Sequence, residues 1–165
     1  LGDGDAKNAF LKGAINITAN SNAGDSHLPY KSLEYNSSNY YHSYDNSNYE
    51  KEGHTEWLCV DFKERKVKPS HYSLKSYATG SDYNLQNWVL EGSNDGNSWT
   101  VLDTKNEDKS LNGSDVSNTF EIPNNSQNNE FYRYLRIRQT GPNTTNGDYR
   151  FIIKSIEYFG SIAEI

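Results

Sequence analysis

The chain's reactive side chains are few and poorly spaced for catalysis. His27, His42, His54 and His71 are scattered, Cys59 is the single cysteine, and no His-x3-His or Cys-His spacing suited to zinc occurs. Ser93 and Ser98 have no base near them in the sequence. Asp61 and Glu91 fall on different expected strands, and nothing sets them as a carboxylate pair for glycosidic-bond cleavage. Gly-rich phosphate motifs are absent. Arg133, Arg136 and Arg138 share one expected strand, where Arg136 and Arg138 take one face and Arg133 the other. Pairing with Asp or Glu across strands accounts for them better than an anion-binding stripe. These residues point to recognition rather than to an enzyme.

The 165 residues make one domain with room for a good core. Only 33% of the residues are hydrophobic, yet 13% are aromatic and thirteen are Tyr, a composition that disordered chains lack. Tyr buries its ring while its hydroxyl stays hydrated, so a thin sandwich can be built from it. A net charge of −6 argues against nucleic acid or an anionic membrane as the main partner. No apolar run reaches transmembrane length, and no signal peptide is visible. Leu1-Gly2-Asp3 reads as the start of a piece excised from a larger chain. The lone Cys59, in an apolar strand, reads as a small buried hydrophobe, and with no intrachain disulfide to form it tilts the expected compartment towards an intracellular one. Asn-x-Ser/Thr sequons at Asn36, Asn112, Asn124 and Asn143 arise by chance in a chain this rich in Asn, Ser and Thr.

Period-2 alternation predicts strands over 13–19, 56–62, 71–77, 118–123, 131–139 and 151–160. A hairpin is predicted over 87–102, where Trp88, Leu90 and Gly92 lead into the Asn94-Asp95-Gly96 turn. Pro29–Tyr35 suits one helical turn, Ala9, Phe10 and Leu11 a short docking turn or helix, and the basic run 64–70 a solvated connector. Residues 36–55, low-complexity in Asn, Ser and Tyr, are a long connection of the kind that carries function or covers a core edge. No stretch holds helical periodicity beyond a turn. The expected fold is all-β, an antiparallel sandwich.

Four segments in series resemble the coagulation-factor 5/8 type C, or discoidin-like, domain. They are Trp57-Leu58-Cys59-Val60-Asp61-Phe62, the hairpin from Asn87 to Leu102, Phe131-Tyr132-Arg133-Tyr134-Leu135-Arg136-Ile137, and Ile156-Glu157-Tyr158-Phe159-Gly160. The resemblance implies a galactose-binding-domain-like jelly roll over 13–160, with a lead-in at 1–12 and a tail at 161–165. It also implies a non-catalytic module that binds a glycan or a protein through loops at one end. His42, in Tyr40-Tyr41-His42-Ser43-Tyr44-Asp45, is similar to the Trp-His-Thr segment of sugar-binding relatives. With it the resemblance nominates Tyr41, Tyr44, Asp45, Tyr83, Asn84, Asn143, Tyr149 and Arg150. The alternative for this set is rim packing by the tyrosines and an exposed His42. Those relatives use an arginine in the loop matching 77–87, and this chain has none there. The cysteine pair of secreted members is absent too. A structural Ca²⁺ is implied for many members, but the run Leu33-Glu34-Tyr35-Asn36 departs from their turn, leaving Asn36 and Glu157 as the nameable ligands. An intracellular protein-interaction or substrate-adaptor domain of a larger ubiquitin-ligase or BTB-type protein is the second expectation.

Overall fold

The computed structural model describes residues 8–34, 38–43, 55–77, 82–124, 129–145 and 147–165. Among these residues ten strands are formed: β1 (Asn16–Ala19), β2 (Tyr41–His42), β3 (Trp57–Asp61), β4 (Arg65–Lys75), β5 (Trp88–Ser93), β6 (Thr100–Lys105), β7 (Ser117–Glu121), β8 (Tyr134–Gln139), β9 (Ile152–Ile153) and β10 (Ser155–Glu164). A five-stranded sheet in the order β1-β3-β8-β5-β6 faces a three-stranded one, β10-β4-β7, and β2 pairs with β9. Every pairing is antiparallel. The jelly-roll sandwich read from the sequence is the fold of the chain.

Alternation explains which residues fill the space between the sheets. Along β8, Leu135 and Ile137 are buried, while Tyr134, Arg136 and Arg138 stay on the outer face. Tyr72 and Leu74 project inward from β4, and Leu58 and Val60 from β3. Trp88 has no exposed surface, and its Nε1–H donates to the Tyr72 hydroxyl at 3.0 Å, which in turn donates to Asp103 Oδ2 at 2.8 Å. That chain satisfies the polar atoms that two large aromatic rings bring into the core. Cys59 is buried as expected, and burial pushes its thiol up to about 12.

The hairpin forms with its turn held by side chains. Asp95 Oδ1 accepts the backbone N–H of Asn97 at 2.8 Å and of Ser98 at 2.7 Å, while Gly96 takes φ 75°, a region that favours glycine. Gly92 is required for a different reason. A Cβ there would lie 2.6 Å from Tyr132 Cγ, because the Tyr132 ring covers the strand backbone.

Three expectations are corrected. The basic run 64–70 is not a solvated turn, since Arg65 to Ser70 are the first half of β4. Val67 and Pro69 face inward there, and Lys66 and Lys68 take intermediate positions between them. Nor is 161–165 a tail, because Ser161, Ile162, Ala163 and Glu164 pair with Lys68, Val67, Lys66 and Arg65. Each of these runs lacked a pattern of its own and is held by the other. The predicted strand 151–160 is divided at Lys154 into β9 and β10. The short turn expected near Ala9 forms, with Ala9 and Phe10 packed on the core and Leu11 exposed. Residues Pro29–Leu33 form a 3₁₀ turn.

The register also sets the two poles of the sandwich. Trp88 pairs with Gln139 at one end of the β5–β8 ladder, and Ser93 with Tyr134 at the other. The loop residues 82–87, 140–145 and 147–150 therefore share the first pole. The 94–98 turn shares the second with residues 131–133, to which Asn94 bonds at both the Phe131 carbonyl and the Arg133 N–H. At this second pole Lys63 Nζ donates to the Gly13 carbonyl at 2.7 Å, and Ile165 N–H to the Glu64 carbonyl at 3.0 Å.

Candidate functional site

At the first pole a cavity of about 230 Å³ is lined by Tyr40, His42, Tyr77, Asp82, Tyr83, Arg150 and Ile152. Each wall is fixed by a different loop. His42 ends the short strand β2 and stands opposite Ile152 of β9. Its carbonyl accepts the Ala23 N–H at 2.9 Å, and next to it Ser43 donates its N–H to the Phe151 carbonyl at 3.0 Å while its hydroxyl accepts the Phe151 N–H at 2.9 Å. His42 Nδ1 meets the Ser43 carbonyl, which can only accept, so this nitrogen carries a proton, and in the neutral tautomer Nε2 is the acceptor.

The aromatic wall is built from Tyr40 and Tyr77, whose ring centroids lie 4.1 Å apart and whose hydroxyls bond at 3.2 Å. Burial and this bond push the Tyr40 phenol up to about 12, so it stays neutral across the physiological range. His27 packs on the Tyr40 ring at 4.5 Å and 5.6 Å from His42, extending the wall with a second imidazole.

The opposite wall joins two loops. Tyr83 takes φ 60°, a left-handed conformation uncommon for a bulky residue. The Thr145 and Thr144 hydroxyls hold it there by accepting the N–H of Tyr83 at 3.1 Å and of Asn84 at 2.9 Å. Arg150 lies over the Tyr83 ring with its guanidinium carbon 4.0 Å from the centroid. Asp148 Oδ2 accepts from Arg150 Nε at 2.8 Å, and Asp148 Oδ1 accepts the Arg150 N–H at 2.9 Å. Burial pushes the Asp148 carboxyl up, but the bonds from Arg150 and Asn143 outweigh it and hold the group below the usual carboxylate range. Arg150 thus brings a guanidinium from the 147–150 loop to the wall that Tyr83 forms.

Of the nominated residues, His42, Tyr83 and Arg150 meet in the cavity. Tyr41, Asn84 and Asn143 do not line it. Tyr41 has no exposed surface; it sits edge-on to Phe151 in the core and donates its hydroxyl to the Ser21 carbonyl at 2.9 Å. Asn143 is buried as the post of its own loop, donating to Asp148 Oδ1 at 2.7 Å and to the Arg150 carbonyl at 3.0 Å while accepting the Thr145 N–H at 2.8 Å. Asn84 is likewise buried, its N–H donating to the Thr144 hydroxyl and its carbonyl accepting the Thr144 N–H at 3.0 Å. Tyr149 is half-buried beside the cavity without lining it. Tyr44, Asp45 and Asn36 lie outside the described residues. Glu157 is exposed on β10 opposite Ser73, and among the described residues no three His, Cys, Asp or Glu side chains gather as a metal site.

Tyr40, Tyr77, Asp82 and Ile152 were missed by the sequence reading. The missing signal was a period. Residues 40–43 lie in a low-complexity run, and once Tyr41–His42 is a strand, alternation puts Tyr40 and His42 on one face and Tyr41 on the other. Tyr77 follows from the same rule one residue past the inward Ser76.

With the geometry in hand, the fold is that of the carbohydrate-binding modules. CpGH89CBM32-5 from Clostridium perfringens, solved with GalNAc-β-1,3-galactose, superposes with a TM-score of 0.65 at 14% identity, over 90% of this chain and 97% of that one. The family 32 module of C. perfringens NanJ, solved with galactose, gives 0.63 at 12% identity over 89% and 94%. Chitosan-binding module 2 of a Paenibacillus sp. IK-5 chitosanase/glucanase, solved with chitotriose, gives 0.62 at 14% over 89% and 97%. The chain belongs to the F5/8 type C domain family, whose model matches residues 16–153. Among curated proteins it is similar to the E3 ubiquitin-protein ligase Ufd4 of Drosophila melanogaster, at 29% identity over 109 residues. It is also similar to the E3 ubiquitin-protein ligase hecd-1 of Caenorhabditis elegans, at 26% over 99 residues. Those matches cover 66% and 60% of this chain and only 4% of each relative.

Proposed function

We propose that this domain is a non-catalytic recognition module that holds the end of a glycan in the cavity between His42 and Arg150. The observation that carries the reading is convergence. Three loops distant in sequence bring an aromatic wall, an imidazole acceptor and a guanidinium donor to one opening. A sugar ring has an apolar C–H side and a hydroxyl edge. The Tyr40–Tyr77 wall suits the first, and His42 Nε2 with the Arg150 N–H groups suits the second. None of these groups is set as a nucleophile beside a base, so the arrangement binds without transforming.

A glycan array followed by calorimetry tests this. His42→Ala should abolish binding with thermal stability nearly unchanged, since the side chain is only partly buried and the strand pairing runs through the backbone. Binding by the variant as strong as by the parent would refute the site.

The similarity to two E3 ubiquitin ligases favours a second reading, in which the same pole holds a protein substrate for a larger chain. Native pull-down followed by competition with soluble sugar separates the two, because only a glycan-dependent capture is displaced.

A further inference from the structure

We propose that the cavity selects its ligand by charge, taking neutral or amine-bearing sugar ends and rejecting acidic ones. This rests on the glycan reading above and adds the ligand's class to it. The charged groups among the lining residues are Arg150 and Asp82. Arg150 would be the natural partner of a sugar carboxylate, but its charge is already matched. Asp148 Oδ2 takes its Nε at 2.8 Å and its second nitrogen at 2.5 Å, and the Tyr83 ring covers one face of the guanidinium. Asp148 is not poised to leave, because Asn143 Nδ2 and the Arg150 N–H also bond its Oδ1.

Asp82 is exposed at the opening, and among the described residues no cation pairs with it. Tyr40 and Tyr77 contribute neutral phenols. An entering carboxylate would give up hydration, meet a carboxylate of like sign, and find the guanidinium's charge already balanced by Asp148. A neutral hydroxyl loses nothing of this kind, and an ammonium is attracted to Asp82. The net charge of −6 adds a field of the same sign.

The test uses matched methyl glycosides in both the galacto and gluco series: the neutral sugar, its 2-amino form and its 6-uronate. Each is titrated into the domain near neutral pH by calorimetry. The expected result, in whichever series binds, is a uronate weaker than the neutral sugar by about tenfold or more, with the gap shrinking in Asp82→Asn and in high salt. A smaller gap overturns the proposal, as does one that Asp82→Asn leaves unchanged. Binding of no sugar in either series sinks the glycan reading and this proposal with it, and is distinct from binding without discrimination.

Discussion

At two of the places where an arginine lies over an aromatic ring, the contact serves opposite ends. On the outer face of the five-stranded sheet, Arg136 lies over Trp99 with its guanidinium carbon 3.8 Å from the centroid, and 6.0 Å from that of Trp57. Its counter-charge, Glu91, has 3% of its surface exposed and binds both Arg136 and Arg138 across neighbouring strands. At the first pole Arg150 stacks on Tyr83 and pairs with Asp148, but beside an open cavity. The sheet face is a closed ladder whose groups answer only one another. The pole is a ladder cut short, with its last rung offered to solvent. The same chemistry gives stability where the partners are complete and presentation where space is left.

If that contrast holds, its two sides break differently. The largest effect is expected from Glu91→Ala, which strands two arginines on a covered sheet face; a loss of about 3 kcal/mol should appear in urea unfolding. Gly92→Ala on the same strand drives a methyl group into the Tyr132 ring and should cost roughly 1–3 kcal/mol by the same measurement. At the pole, Arg150→Ala should weaken glycan binding by about 2 kcal/mol, some thirtyfold in calorimetry, with a smaller loss of stability. Were its unfolding cost to equal that of Glu91→Ala, the distinction between the regions would fail.

Acid sharpens the comparison. Burial raises Glu91, but its bonds and charge interactions with Arg138 and Arg136 outweigh that and leave its pKa lowered. Asp61 is lowered in the same way by Arg133, and Asp148 by Arg150. A depressed folded pKa means that the unfolded chain takes up protons first. Their contribution is therefore full above the unfolded values near pH 4 and drains away as pH falls through the folded ones. Stability should be flat from neutral to about pH 5 and decline below about pH 4, less steeply in Glu91→Gln. The smallest effect concerns Cys59: with its thiol pushed up to about 12, a thiol reagent should label it only as fast as the domain opens.

The sheet side of this comparison was legible in the sequence and the pole only partly so. Trp57–Phe62, the Trp88–Leu102 hairpin and 131–139 announce themselves through alternation, because a strand in a sandwich must bury every second residue. The arginines' carboxylate partners could be anticipated for the same reason. Val67 and Ile162 escaped notice since each lies in a polar run that becomes a strand only by pairing with the other. At the pole, His42 and Arg150 were nominated through resemblance and line the cavity, whereas Asn143, nominated with them, is buried inside its own loop. An amide in a loop looks the same in sequence whether it faces outward or ties the loop together, and only the bonds from Asn143 to Asp148 and Arg150 decide.

The tethers at the second pole carry one further consequence. Lys63 holds Gly13, Glu64 holds Ile165, and Ala14 N–H reaches back to the Ala9 carbonyl, so the path into the sandwich and the path out of it run side by side. That clasp lies at the opposite pole from Tyr40, His42 and Arg150, so the two poles answer to separate sets of contacts.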